Sequence, residues 1–204
     1  MTGQPTLSAR PSVTATTMTD SEILDLFHNG SSRERAFQLL VEKYQQKIYW
    51  HIRRMVIEHE NANDVMQNTF IKIWKGLENF RADSQLFTWM YRIATNECLN
   101  YLSHQKKHET VSFDGTDNED DDSLSPSNYV KADSVHIDPD RLLEKLKMAI
   151  ESLPDKQKLV FNMRYYDEMP YEQISEILST SVGALKASYF HAAKKIEKYL
   201  LSID

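Results

Sequence analysis

One segment of the chain cannot form a packed core, and it divides the sequence into two halves. Residues 108–140, HETVSFDGTDNEDDDSLSPSNYVKADSVHIDPD, contain ten acidic residues and a single lysine, Lys131. They show no helical period and few aromatic residues, which is the composition of a disordered segment. We therefore predict two small domains, residues 18–107 and 141–204, joined by an acidic flexible linker.

The acidity of the protein belongs to this linker. The formal net charge is -6, yet residues 18–107 have 12 basic and 11 acidic side chains, and residues 141–204 have 10 and 9. Neither predicted domain is acidic, so both are compatible with nucleic-acid binding. The linker could be a solubilising tether or a DNA mimic that competes for a basic face.

Other bulk features narrow the class of protein. Cys98 is the single cysteine, which excludes an internal disulfide and a cysteine-based zinc site and predicts a cytoplasmic location. No run approaches the roughly 20 apolar residues of a membrane-spanning helix. Residues 1–17 lack the apolar core of a signal peptide, and we predict a disordered tail before Met18.

The first half has the apolar spacing of helices. Its apolar residues recur at three- and four-residue steps, and no stretch alternates as a strand would. The predicted helices open at Ser21 and Glu22, at Ser32, at a cap formed by Asn63 or Asp64, and over residues 86–102. A polar loop, ENFRADSQ at 78–85, precedes the last of these, and the domain is predicted to be all-α.

The second half ends in a short helix, a three-residue turn and a longer helix. Residues 141–153 and 154–166 are predicted helices, residues 171–178 are the short one, and Ser181 can cap a helix that runs to about Leu201. One face of that helix is predicted to be core: Leu185, Tyr189, Ala192, Ile196 and Leu200. The opposite face is a candidate DNA-binding surface: Gly183, Lys186, Ala187, Phe190, His191 and Lys194.

This arrangement is typical of a helix-turn-helix whose second helix enters the major groove. Two helices joined by a short turn are also ordinary helix packing. DNA binding is favoured by residues 51–107, which interleave basic side chains with aromatic ones. Aromatic faces stack on unpaired bases, and Lys and Arg hold phosphates, so this half suits single-stranded DNA.

Two stretches carry a specific resemblance: DVMQNTFIKIWKGLENF followed by FTWMYRIATNECLNYL, and LPDKQKLVFNMRYYDEMPYEQISEILSTSVGALKASYFHAAKKIEKYL. The first is similar to region 2 and the second to region 4 of bacterial RNA polymerase sigma factors of the extracytoplasmic-function (ECF) family. The resemblance implies a region 2 helical bundle, a region 4 helix-turn-helix, and an alternative sigma factor that directs promoter-specific transcription initiation. The partners it implies are core RNA polymerase, promoter DNA and an anti-sigma factor, and the free protein should be a monomer.

The resemblance also implies roles for individual residues. The polymerase-binding helix matches Asp64, Gln67, Asn68, Ile71 and Trp74, with Asp64 also a helix cap. The elements that recognise the −10 region match Arg81, Asp83, Ser84, Arg92 and Asn96. The helix that recognises the −35 element matches the candidate DNA-binding surface of the last helix, together with Ser188. Many relatives have arginines at the positions of Ser188, His191 and Ala193, so a weaker or different −35 preference is expected.

Enzymatic function finds no support in the sequence. There is no glycine-rich phosphate loop and no paired-histidine metal motif, so neither a cofactor nor a metal is expected. The alternative to a sigma factor is a stand-alone dimeric helix-turn-helix regulator with a helical sensor domain. A sigma factor should be monomeric and comigrate with core polymerase, whereas the regulator should bind its operator unaided.

Overall fold

The computed structural model describes residues 18–29, 32–111 and 139–202. Within these ranges the chain forms eight α-helices and no strand, which confirms the predicted all-α class. No described helix is long and apolar enough to cross a bilayer. The predicted tail and the interior of the predicted linker lie outside the described residues. The helices are α1 (Asp20–Asn29), α2 (Arg33–Met55), α3 (His59–Leu77), α4 (Leu86–Val111), α5 (Pro139–Glu151), α6 (Asp155–Tyr165), α7 (Tyr171–Leu178) and α8 (Val182–Leu201).

The start of α3 differs from the sequence prediction. Its N-cap is Glu58, and the amide of Ala62 donates to the Glu58 carbonyl at 3.0 Å. Nothing between residues 59 and 63 interrupts a helix, and Glu60 adds a favourable negative charge in the first turn. Asn63 and Asp64 therefore lie inside the helix, and the prediction that either one caps it was wrong.

The helices that flank the predicted linker extend into its range. α4 continues to Val111 rather than ending at residue 102, because Gln105, Lys106 and Lys107 are good helix formers. α5 begins at Pro139, where a proline fits the first turn of a helix. The segment between the two helices is accordingly shorter than residues 108–140.

The start of α8 agrees with the prediction. The Ser181 hydroxyl accepts a hydrogen bond from the amide of Ala184 at 3.3 Å, which satisfies one of the free donors at the helix start. The preceding Ser179 has a φ of 51°, a left-handed conformation that ends α7. The turn and its cap fix the angle at which α8 leaves the helix-turn-helix.

The N-terminal half, α1–α4, packs around α2. Ile48 and Ile52 of α2 are fully buried, together with Ile73 of α3 and Met90 of α4. The spacing of these residues leaves a polar face on α3 and on α4, as expected for amphipathic helices. The bundle thus holds two exposed faces in a fixed orientation.

The C-terminal half, α5–α8, does not stand apart from this bundle. Leu159 and Met163 of α6 and Ile174 of α7 are buried in the same hydrophobic cluster as the residues of α2 and α4. A second, smaller cluster joins α5, α6 and α8 through Ile150, Phe161, Ala192 and Ile196. The two halves therefore share part of one core.

A close contact between α3 and α4 predicts opposite effects for two Gly→Ala substitutions. A Cβ at Gly76 would lie 2.7 Å from Cζ2 of Trp89, whereas a Cβ at Gly183 would meet nothing within 4 Å. We expect Gly76→Ala to lower the free energy of unfolding by about 1–2 kcal/mol through overpacking. Gly183→Ala should raise it by up to about 1 kcal/mol through helix propensity. Chemical denaturation measures both changes, and equal stabilisation in the two variants would contradict the packing of Trp89.

Candidate protein-binding and nucleic-acid interfaces

The predicted polymerase-binding residues form one surface on α3. Asp64, Gln67, Asn68 and Ile71 are exposed and follow the spacing of a single helical face. Ile71 is 45% exposed and supplies apolar area to this surface. Its surroundings are polar, so this α3 face combines an apolar centre with a polar border.

Trp74 differs from the other members of this set. Its ring packs edge-to-face against Phe27 and Phe37, with centroid distances of 5.5 and 5.0 Å. The side chain is half-buried. Trp74 therefore positions α3 against α1 and α2, and only part of its ring is available to a partner.

The loop before α4 presents a polar edge. Arg81 and Asp83 are exposed and Ser84 is half-buried. Ala82 has a φ of 58°, a conformation that costs free energy for a residue with a Cβ. Phe80 packs on Trp89 with a centroid distance of 4.9 Å and holds the start of the loop against α4. The loop is thus anchored at its start while its polar side chains face solvent.

Arg92 and Asn96 lie one turn apart on α4 but have different surroundings. Asn96 is exposed, whereas Arg92 is half-buried against the C-terminal half. The Arg92 Nη2 donates to the backbone carbonyl of Glu176 in α7 at 2.6 Å. Its Nε is buried and has no partner among the described residues. The structure therefore brings one predicted DNA-binding residue into an intramolecular contact.

As the sequence predicts, α8 has one buried face and one face that is mainly exposed. Leu185, Ala192 and Ile196 are buried, and Tyr189 stacks on Phe161 at a centroid distance of 5.6 Å. Ser188 is half-buried. On the opposite side, Gly183, Lys186, Ala187, Phe190 and Lys194 are exposed and His191 is half-buried.

A half-buried carboxylate between the two halves was missed by the sequence analysis. Asp167, in the turn after α6, accepts hydrogen bonds from Arg54 of α2 and from the hydroxyl of Tyr91 of α4. We call Asp167, Arg54, Tyr91 and His51 the Asp167 cluster. The sequence analysis treated residues 167–170 as a turn, and a turn signal does not reveal which distant side chains it meets.

His51 completes the Asp167 cluster from inside α2. It is fully buried, and its Nε2 shares a 3.0 Å hydrogen bond with the hydroxyl of Thr95. Its Nδ1 lies 3.7 Å from Oδ2 of Asp167, which is too long for a hydrogen bond. Burial lowers the pKa of His51 and outweighs the opposing effect of Asp167.

For the carboxyl of Asp167, the interactions with its neighbours outweigh the effect of burial on the pKa. Burial tends to raise the pKa of its carboxyl, but the interactions with His51, Tyr91 and Arg54 are stronger and lower the pKa below its ordinary value. Because the imidazole is neutral and too distant for a hydrogen bond, we attribute this chiefly to Tyr91 and Arg54. The carboxylate is charged and the imidazole neutral at physiological pH.

Two family models match the chain in the predicted order. The model described as Sigma-70 region 2 matches residues 40–108, and the model described as Sigma-70, region 4 matches residues 143–196. The two matches together cover more than half of the chain. They correspond to α2–α4 and to α5–α8.

Full-length relatives give the same result. The RNA polymerase sigma-H factor of Pseudomonas aeruginosa is 31% identical over 189 residues, 89% of this chain and 93% of the relative. The ECF RNA polymerase sigma-E factor of Escherichia coli is 31% identical over 188 residues, 88% of this chain and 93% of the relative. The solved structure of the sigma factor RpoE from Bartonella quintana, in complex with the anti-sigma factor NepR, has a similar fold. Its TM-score is 0.59 at 21% identity, over 82% of this chain and 98% of that one.

The chain belongs to the sigma-70 family of bacterial transcription initiation factors, in its ECF group. It is an alternative sigma factor, which binds core RNA polymerase and directs initiation at chosen promoters, and it is not an enzyme. The predicted family and the predicted sigma-factor function are confirmed, and the alternative of a stand-alone dimeric regulator is not favoured.

The buried neutral His51 predicts a pH-dependent stability. In the unfolded chain its pKa is about 6.5, and in the folded protein it is lower, so the unfolded state binds more protons below that value. The stability from keeping His51 neutral is therefore complete above about pH 6.5 and is lost as the pH falls below it. The largest contribution of one proton is about 1.4 kcal/mol per pH unit.

Denaturation at several pH values measures this effect. His51→Gln keeps a donor near Thr95 but cannot titrate, so its stability should fall less steeply than that of the wild type between about pH 7 and about pH 5.5. The comparison of slopes is independent of the loss of stability that the substitution itself causes. Equal slopes would contradict a lowered pKa for His51.

Proposed function

We propose that three exposed surfaces divide the function of this sigma factor. The α3 face binds core RNA polymerase, the loop 78–85 with the polar face of α4 recognises the −10 element and assists melting, and the exposed face of α8 recognises the −35 element. The single observation that supports this most directly is that each predicted set consists mainly of residues that are exposed or half-exposed to solvent. We place the protein in the cytoplasm, where it meets core polymerase.

The α3 face has the composition of a protein-binding surface. Ile71 supplies exposed apolar area, and Asp64, Gln67 and Asn68 can form hydrogen bonds around it. A small apolar centre with a polar border is the usual anatomy of a protein interface. These four side chains are exposed, so they are available to a partner.

The −10 surface combines charge with access to unpaired bases. Arg81 can contact phosphate, and Asp83, Ser84 and Asn96 can form hydrogen bonds with the edges of bases that leave the stack. Trp89 and Tyr91 support the helix from inside, since Tyr91 is 1% exposed and Trp89 packs on Phe80. The melted strand is therefore recognised by polar groups rather than by an aromatic wedge.

The −35 surface of α8 suits the major groove. Gly183 and Ala187 allow the backbone to approach the DNA closely, and Lys186 and Lys194 can contact phosphates. Phe190 is 54% exposed, so its ring can contact a thymine methyl group. Because this face has no arginine, which is the usual bidentate partner of guanine, recognition depends more on apolar contacts, His191 and groove shape.

We also propose that an anti-sigma factor binds the free protein, which is otherwise a monomer. The proposal rests on the similar fold of the Bartonella quintana sigma factor, whose structure contains the anti-sigma factor NepR. Such an inhibitor need only cover one of the three surfaces to block transcription.

Transcription with purified core polymerase on genomic fragments tests the function and the α3 assignment together. The wild type should give transcripts from defined start sites. The double variant Asp64→Lys with Gln67→Ala should bind core polymerase at least tenfold more weakly at unchanged helix content, because it reverses a charge and removes a hydrogen-bonding group. The matched control is Glu34→Lys with Gln45→Ala, two exposed positions on α2. Normal core binding by the α3 variant would refute the assignment.

Neighbouring residues on α8 should give separate phenotypes. His191→Ala should change the preference among −35 variants by about 1–3 kcal/mol if it contacts a base, with little change in melting temperature. Tyr189→Ala should lower the stability by about 2–3 kcal/mol, because it removes an aromatic ring that stacks on Phe161 but is partly exposed. Thermal melting and transcription from a panel of −35 variants measure both effects. The reverse pattern would place the recognition surface on the other face of α8.

A further inference from the structure

A cleft with a volume of about 620 Å³ lies between α2, α5 and α6. Sites for small molecules usually have volumes of about 300–1,000 Å³. Trp50 and Arg53 of α2, Lys147 of α5, and Lys158 and Asn162 of α6 are among the residues that line the cleft. Within the described residues, none of those assigned to polymerase or promoter binding lines it. A ligand bound here would therefore contact a fourth, separate part of the protein.

Two cations of the cleft have no ion-pair partner of their own among the described residues. Lys158 is 5% exposed, and the carboxylates that act on its charge, Glu151 and Asp155, are each paired with another lysine. Arg53 donates only to the backbone carbonyl of Val56, at 3.3 Å. Burial lowers the pKa of Lys158, because removal of water disfavours the charged form. An anion in the cleft would offset that cost.

Asn162 places an unsatisfied acceptor at the wall of the cleft. The residue is fully buried, and its Nδ2 donates to the carbonyl of Arg54 at 3.4 Å and to Sδ of Met55 at 3.6 Å. Both of these groups are acceptors, so they fix the orientation of the amide. Its Oδ1 has no hydrogen-bond partner among the described residues, which is unfavourable for a buried acceptor. A hydrogen-bond donor on a ligand in the cleft would satisfy this oxygen.

Aromatic side chains complete the lining. Trp50 is 49% exposed, although its ring packs edge-to-face with Tyr49 at a centroid distance of 5.4 Å. Tyr166 lines the same cleft, and the guanidinium of Arg54 lies 4.7 Å from the centroid of its ring. Exposed aromatic rings stack on the planar rings of bases. The cleft thus combines a surface for a planar ring with cations for an anionic group.

We propose that this cleft binds a nucleotide whose base carries an exocyclic amino group. Arg53 and Lys158 hold the phosphate, the base lies on Trp50, and Oδ1 of Asn162 accepts a hydrogen bond from the amino group. Arginine and lysine are the usual phosphate ligands, and adenine carries such an amino group at N6. The proposal does not depend on the three surfaces assigned above.

Titration calorimetry of the full-length protein with AMP tests the proposal directly. We expect saturable binding of one AMP per chain, with a Kd below about 1 mM. Adenosine lacks the phosphate and inorganic phosphate lacks the ring, so each should bind at least about tenfold more weakly. Failure of AMP to bind, or equal binding by inorganic phosphate, would overturn the proposal.

An analogue of AMP tests the role of Asn162 without a substitution in the core. Purine riboside 5′-monophosphate lacks the exocyclic amino group but keeps the ring and the phosphate. It should bind at least about fivefold more weakly than AMP, because the buried Oδ1 of Asn162 then remains without a donor. Equal affinities for the two nucleotides would refute the contact with Asn162.

Two lysines on α6 provide a matched pair of variants. Lys158→Gln and Lys156→Gln each remove one positive charge, but Lys156 is exposed and is absent from the lining of the cleft. Lys158→Gln should weaken AMP binding at least about tenfold, and Lys156→Gln less than about twofold. Circular dichroism and thermal melting check that both variants are folded. Equal losses would mean that AMP is attracted by overall charge, which would refute a specific site.

Trp50→Leu gives a test that does not depend on the stability of Lys158→Gln, since Trp50 is half-exposed. AMP should quench part of the tryptophan fluorescence of the wild type. The quench should be lost in Trp50→Leu, which keeps Trp74 and Trp89. AMP affinity should fall as well, because stacking is removed. An unchanged quench or an unchanged affinity would show that the base does not lie on Trp50.

Single-stranded DNA is the rival occupant, because cations and an aromatic ring also bind a strand. A labelled oligonucleotide distinguishes the two. If the strand loses affinity in Trp50→Leu and Lys158→Gln while AMP neither binds nor competes, the cleft belongs to a DNA path and the nucleotide proposal is wrong. None of these measurements uses core polymerase or a promoter, so their failure is distinguishable from failure of the proposed function.

Discussion

The burial of one side of α3, α4 and α8 determines which side chains remain to bind partners. Ile73 and Leu77 are buried on α3, and Met90 and Tyr91 are buried on α4. On α8 the buried residues are Leu185, Ala192 and Ile196. Because side chains three and four residues apart share a face of a helix, fixing the apolar side also fixes the direction of the polar side. The functional surfaces are therefore consequences of packing, and a core substitution on any of these helices should disturb the surface opposite it.

The same packing joins the two halves. Leu159 and Met163 of α6 are buried with residues of α2 and α4, so pulling the halves apart would expose apolar area to water. Each Å² exposed costs about 25 cal/mol, and the loss grows with the area of contact.

Much of the fold and part of the site followed from the sequence, because both depend on local periodicity. The helix at residues 171–178, the cap at Ser181 and the two faces of α8 were predicted from spacing and cap chemistry alone. The predicted start of α3 at Asn63 or Asp64 was wrong, because good capping residues also occur inside helices. The contacts of Asp167 and Arg92 join residues about 80 to 110 positions apart, and no local pattern in one sequence specifies such a pairing.

The ion pair between Asp167 and Arg54 specifies the packing of the two halves more than it stabilises that packing. Removing water from two charges costs nearly as much free energy as their attraction returns, so a partly buried ion pair adds little net stability. It nevertheless requires one geometry, because any misalignment leaves a partly buried charge without its partner. An interface of the same size held by apolar side chains alone would tolerate sliding of α7 along α4.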